Sequence, residues 1–177
     1  LAGEVPQALL ANDYERAKST ALWFNDLFGQ GNYYLELQDH GLQEDPIVLP
    51  QLIRLSKETG IALVATNDSH YIQKEDAKMQ EILLCIQTGK TIDDADKMEF
   101  QTDEFYLKST QEMYDLFSYV PEACENTNKI AEMWNFDFEF GNTKLPYFEA
   151  PDGLTNQQYF EKLCFEGLER RYGPEVP

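Results

Sequence analysis

The sequence predicts an α/β fold, and three observations carry that expectation. Two short runs, YYLEL at 33–37 and IALVA at 61–65, are apolar enough to be buried strands. Between them, 46–57 sets Ile47, Leu49, Leu52, Ile53 and Leu55 at helical spacing. Polar residues follow directly after each run: Gln38-Asp39-His40-Gly41 after the first, Asn67-Asp68-Ser69-His70 after the second. Strand, helix and strand in so short a span form a βαβ unit, with parallel strands and a right-handed crossover expected. In such units ligand-binding and catalytic groups gather past the carboxyl ends of the strands, where both polar clusters fall.

The other elements follow in chain order. Helices are expected over 4–10 and 13–28. The second has Asn12 or Asp13 as N-cap, an apolar set of Ala17, Ala21, Leu22, Phe24, Leu27 and Phe28, and Gly29, Gly31 and Asn32 to stop it. In the helix over 46–57, Pro46 suits the first turn, Pro50 must lie early or bend the helix, and Gly60 closes it. A helix over 76–87 groups Met79, Ile82, Leu83 and Ile86 on one face. A short strand is expected over 104–108, then a helix to 117 capped by Ser109 or Thr110. The helix over 121–134 starts at Pro121 and is expected to bury Ala123, Cys124, Thr127, Ile130, Ala131 and Trp134. Residues 136–140 alternate aromatic and acidic, the pattern of an exposed edge strand. At 142–154, NTKLPYFEAPDGL reads as a linker pinned by its aromatics, and a final helix over 155–172 uses Tyr159, Phe160, Leu163, Cys164 and Leu168.

Composition narrows the function classes. Of 177 residues, 42% are apolar and 13% aromatic, enough for a core. Against 14 basic residues stand 32 acidic ones, a formal charge of −18, so the chain is not expected to grip nucleic-acid phosphates by itself, and its acidity suits protein partners better. Cys85, Cys124 and Cys164 are far apart and sit in helical patterns, which predicts buried thiols of a reduced cytoplasmic protein. No run approaches the roughly 20 apolar residues of a membrane span, and no signal peptide is visible. The chain starts with Leu-Ala-Gly-Glu and ends with Gly-Pro-Glu-Val-Pro, which predicts a piece of something larger.

Asp68 and His70 are the candidate metal ligands. Their i, i+2 spacing in an extended segment sets a carboxylate and an imidazole on the same side of the chain, and both suit Zn²⁺, Mn²⁺ or Fe²⁺. A catalytic zinc needs about three protein ligands. His40 is the only other histidine; it follows a strand as a ligand would, but an Asp-His-Gly turn explains it more simply. Two other motifs are set aside. Thr88-Gly89-Lys90-Thr91 has Leu84 where a phosphate-binding loop needs its first glycine and follows a helix rather than a strand; Asp93, Asp94 and Asp96 lack the glycine and downstream glutamate of a calcium loop.

The ordered string YYLELQDHG, LVATNDSHYIQKEDA, EILLCIQTGKTIDD, EFYLKSTQEM, PEACENTNKIAE, LPYFEAPDG and EGLERRYG resembles the C-family DNA polymerases, the alpha subunits of bacterial DNA polymerase III, over essentially the whole chain. The resemblance implies that 1–100 is the C-terminal part of a PHP (polymerase and histidinol phosphatase) domain, a distorted β/α barrel. Residues 101–141 then lead away as a mostly helical connection, and 142–177 begin the polymerase core. Asp68 and His70 match the last of the family's metal motifs, Asp-x-His, while His40 lies outside those motifs. The resemblance further implies a parent that extends a primer 3′ end on a DNA template from dNTPs with Mg²⁺. Its intact PHP site would take Zn²⁺ or Mn²⁺, with a 3′-5′ exonuclease or phosphoesterase activity. The alternative is a structural PHP scaffold docking a separate proofreading exonuclease; sliding clamp and clamp loader are further implied partners. The remaining metal ligands and the catalytic aspartates would lie outside these residues, so the segment alone is expected to be inactive. A freestanding phosphoesterase is the less favoured reading, because 145–172 resembles polymerase sequence leading onward.

Overall fold

The computed structural model describes residues 1–173; the last four residues of the expected 142–177 segment lie outside the described residues. The chain is mixed α/β, mostly helical, and divides into two compact units, Leu1–Asn135 and Phe136–Pro177.

In the first unit, α1 (Glu4–Leu10) packs on α2 (Tyr14–Phe28), whose N-cap Asp13 accepts the Arg16 N–H at 3.1 Å. The parallel pair β1 (Leu35–Leu37) and β2 (Leu63–Ala65) follows, in the register Leu35↔Leu63, Glu36↔Val64, Leu37↔Ala65, as the βαβ pattern predicts. Their crossover is α3 (Asp45–Thr59), closed by Gly60 in the left-handed region at φ 75°, where its N–H reaches the Ser56 carbonyl at 2.8 Å. Then come a single 3₁₀ turn at Lys74–Asp76, α4 (Ala77–Thr88), α5 (Thr110–Leu116) and α6 (Pro121–Met133).

One core joins these elements. Leu9 of α1, Ala17 and Ala21 of α2, Leu35 and Leu37 of β1, Leu52 and Leu55 of α3, Leu63 of β2, then Phe117, Val120 and Ala123, form a contiguous buried cluster. Helix α3 packs on β1 and α6 on β2. Asn126 of α6 is buried, and its side-chain amide donates to the Leu63 carbonyl at 2.7 Å.

In the second unit a 3₁₀ turn at Pro151–Gly153 precedes α7 (Asn156–Tyr172). Thr155 and Gln158 form a capping box at the start of α7. The linker is pinned within its own unit at one aromatic: Phe148 stacks on Tyr159 at 5.8 Å, and its carbonyl accepts from the Asn156 side chain at 3.0 Å. Tyr147 is exposed.

Several expectations are corrected. Both strands are shorter than their apolar runs. Residues 104–108 form one parallel bridge, Tyr71 with Tyr106, rather than a strand: the Leu107 N–H reaches the Tyr71 carbonyl at 3.0 Å, while the Tyr106 carbonyl takes the Asn67 side chain at 2.6 Å. Residues 136–140 are irregular: Asp137 takes the Phe138 N–H at 2.9 Å, a local bond that competes with strand pairing. Helix α4 buries Leu84 and Cys85 and leaves Met79, Leu83 and Ile86 exposed. Its run ILLCI is apolar on every side, so the period does not select a face. On α2, Leu22, Leu27 and Phe28 are exposed and only Ala17 and Ala21 are buried. On α6, Asn126 joins the buried face in place of Thr127, whose hydroxyl bonds the Cys124 carbonyl at 2.6 Å; Ile130 is only half-buried, Ala131 is exposed, and Trp134 ends up past the helix in solvent. None of the expected α7 set is buried, and Cys164 is exposed, unlike Cys85 and Cys124. Among the described residues no helix is long and apolar enough to cross a membrane.

Candidate functional site

The candidate site lies past the carboxyl ends of β1 and β2. The parallel pairing runs one residue further, with the Thr66 N–H on the Leu37 carbonyl at 3.0 Å, and then the chain enters a polar loop. The Thr66 hydroxyl donates to the Glu36 carboxylate at 2.6 Å and accepts from the Gln38 amide at 3.1 Å, tying the two strand ends together. Asn67 bonds the Ser69 hydroxyl and the Tyr106 carbonyl, and the His70 N–H reaches the Phe105 carbonyl at 2.8 Å. The segment around Phe105 therefore holds this loop as an extra chain beside it.

This arrangement brings the two predicted ligands together. His70 Nε2 lies 3.1 Å from Asp68 Oδ1, and both side chains are partly open to solvent. One flank of the His70 ring is closed by Phe100, at 4.6 Å between centroids, and by the edge-on ring of Phe105 at 5.9 Å. A cleft of about 480 Å³ reaches Asp68, with Glu36, Gln38, His40 and Phe105 also among its walls; His70 does not line it.

His40 reaches the same loop by another route. It is 3% exposed, and its ring lies flat on Phe105 at 4.4 Å with 1° between the planes. Its Nε2 accepts the Asp68 backbone N–H at 3.2 Å. Its own N–H donates to buried Asp45 at 3.0 Å, and its carbonyl accepts the Thr102 hydroxyl at 2.6 Å. Burial pushes the His40 pKa below the ordinary imidazole value, as does the nearby Lys108 cation, against the opposing pull of Asp68 and Asp45. Lys108 is itself nearly buried, bonded to Glu104 and seated over the Tyr106 ring at 4.4 Å. Among the described residues no group of three or more His, Cys, Asp or Glu side chains is arranged to hold a metal ion.

Over 97% of its length the chain is 44% identical to the DNA polymerase III subunit alpha of Borreliella burgdorferi and 42% identical to that of Treponema pallidum. Over 99% it is 37% identical to that of Thermus aquaticus. The chain belongs to the DNA polymerase III subunit alpha family. It spans about 15% of the length of these relatives. No protein-family model matches it.

Sequence reasoning missed several residues that shape this site. Phe105 and Lys108 lie in the stretch expected to be a short strand, Phe100 just before it, and Asp45 in an ordinary Asp-Pro helix start. The motifs set aside prove to be local turn chemistry. Gly89 is the left-handed C-cap of α4 at φ 67°, Lys90 pairs with Asp96 at 2.6 Å, and Asp94 accepts the Thr91 N–H at 2.7 Å.

Proposed function

We propose that this chain is part of a bacterial replicative DNA polymerase that extends a primer 3′ end on a DNA template, and that the segment contributes to a PHP-type distorted β/α barrel. Asp68 and His70 would be two ligands of its metal site. The observation that carries the reading is the convergence of these two side chains to 3.1 Å past the ends of a parallel strand pair, in a chain so similar to polymerase subunits. A carboxylate oxygen and an imidazole nitrogen that close and partly open to solvent fit a divalent cation as part of a larger ligand set.

When bound, Zn²⁺ or Mn²⁺ would supply a water of lowered pKa and charge stabilisation at a phosphodiester. Asp68 offers the hard oxygen, and His70 offers Nε2, the atom already facing Asp68. Phe100 and Phe105 shield one side of the imidazole from water and limit its rotation. The reaction class is 3′-5′ exonuclease or phosphoesterase hydrolysis. Polymerisation itself, with Mg²⁺, dNTPs and primer-template, has no residue assigned in this segment. The sliding clamp, clamp loader and proofreading exonuclease would be partners in the cytoplasm.

A second reading, a scaffold that docks a separate proofreading subunit, is favoured by the charge of −18, which suits protein contact better than phosphate contact. One experiment separates the two. The full-length subunit is assayed for Mn²⁺-dependent 3′ exonuclease and for primer extension, beside Asp68→Asn, His70→Ala and a chelator control. Exonuclease lost in both variants and under chelator, with extension retained, supports the metal reading. A wild type that extends primers but never removes a 3′ nucleotide overturns it in favour of the scaffold.

A further inference from the structure

The loop that carries Asp68 and His70 has little packing of its own. Thr66 and Asn67 are only half-buried, and Asp68, Ser69 and His70 are exposed. A ligand pair at such a position keeps its geometry only if something buried holds the backbone from outside. Three hydrogen bonds from other parts of the unit do so: Asn67 to the Tyr106 carbonyl, His70 N–H to the Phe105 carbonyl, and Asp68 N–H to His40 Nε2.

The geometry points to His40 as the positioning residue of the Asp68 and His70 pair, acting through the Asp68 backbone amide rather than as a third ligand. The inference rests on the metal-pair reading above. It follows from how thoroughly His40 is fixed. Asp45 holds its N–H, Thr102 holds its carbonyl, and Phe105 lies flat against its ring. A histidine nitrogen that accepts a hydrogen bond carries no proton, so the ring proton sits on Nδ1 and the imidazole is neutral. The Nε2 lone pair engaged by the Asp68 amide is not free for a metal. Phe105 completes the device, because the residue that stacks on His40 also receives the His70 N–H and touches the His70 ring. One buried pair of residues, His40 by its ring nitrogen and Phe105 by its carbonyl, thus sets the backbone at both ligands.

Two variants separate the hydrogen bond from the packing. His40→Phe keeps a flat ring against Phe105 and loses the acceptor. His40→Gln loses the ring and keeps an acceptor oxygen at similar reach. In the full-length subunit, titrated with MnCl₂, His40→Phe is expected to weaken Mn²⁺ binding roughly ten- to a hundredfold, the range for losing a group that orients a ligand. His40→Gln is expected to stay near wild type. Hydrogen exchange at the Asp68 amide should quicken in His40→Phe and stay slow in His40→Gln, while primer extension is unchanged in both.

A role in packing alone reverses that order, because glutamine loses more contact with Phe105 than phenylalanine does. Wild-type Mn²⁺ affinity and Asp68 protection in His40→Phe, or His40→Gln as impaired as His40→Phe, would overturn the proposal. Failure of the metal reading shows separately. Asp68→Asn and His70→Ala would then leave Mn²⁺ binding unchanged, and protection of the Asp68 amide would still report whether the residue at position 40 sets the loop.

Discussion

Helices α3 and α7 are of similar length and differ in almost everything that holds them. Helix α3 buries five residues, Asp45, Val48, Leu49, Leu52 and Leu55, and carries a proline inside its second turn. Helix α7 has no internal proline, begins with a full capping box and ends with Arg170 and Arg171 near its carboxyl dipole, yet buries none of its residues. By local criteria α7 is the better helix. The contrast shows that capping and propensity are enough to write a helix, while burial against a partner fixes its place in a core.

That contrast can be broken by substitution, beginning where burial is greatest. Phe117 follows α5 and is fully buried in the first unit, so Phe117→Ala is expected to cost about 3–5 kcal/mol in urea unfolding followed by circular dichroism. A loss under 1 kcal/mol would mean that this core is not what holds Leu1–Asn135 together.

Next in size is Asn126→Ala, which leaves the Leu63 carbonyl of β2 without its donor, for about 1–3 kcal/mol. Faster amide exchange in β2 should accompany it. An unchanged β2 would show that α6 docks by its apolar contacts alone.

The α5 capping box comes third. Ser109→Ala removes the side-chain acceptor for the Glu112 N–H and is expected to cost about 1 kcal/mol. The same box gives an acid signature. Hydrogen bonds from the Ser109 hydroxyl first, then its backbone N–H and Tyr106, hold the Glu112 carboxyl at about 2, below its ordinary 4.5. A folded-state pKa lower than the unfolded one contributes stability above about pH 4.5 that is lost as pH falls toward 2. Glu112→Gln should remove that part of the acid dependence, and an identical pH profile in the variant would discard the assignment.

The smallest effect belongs to α7. Phe160→Ala, at a side chain 67% exposed, is expected to change stability by less than about 0.5 kcal/mol. A loss approaching that of Phe117→Ala would mean that α7, too, is held by burial.

How much of the fold could be read in advance depended on how far each feature is local. The Asp13 cap of α2, the Ser109 cap of α5 and the Gly60 stop after α3 followed from short-range rules, and the parallel pairing of β1 with β2 from the crossover that one intervening helix makes. Strand length and buried faces did not. The Asn67 side chain that takes the Tyr106 carbonyl comes from 39 residues away, and nothing in ILLCI says which side of α4 will be covered. In the site, Asp68 and His70 were legible because residues two apart on an extended chain share a side. His40 was legible only as a histidine after a strand.

By itself the sequence determined where most helices start and stop, that two strands pair in parallel around a helix, and which two side chains stand together at their ends. Those outcomes depend on backbone preferences and on groups a few residues apart. Only the tertiary structure decided that His40 is buried against Phe105 and bonded to the Asp68 amide, that Asn126 anchors β2, and that α4 turns Leu84 and Cys85 inward. Each of these contacts joins residues far apart in the chain, or chooses among faces of nearly equal apolarity. Such choices are made by what a residue meets in space.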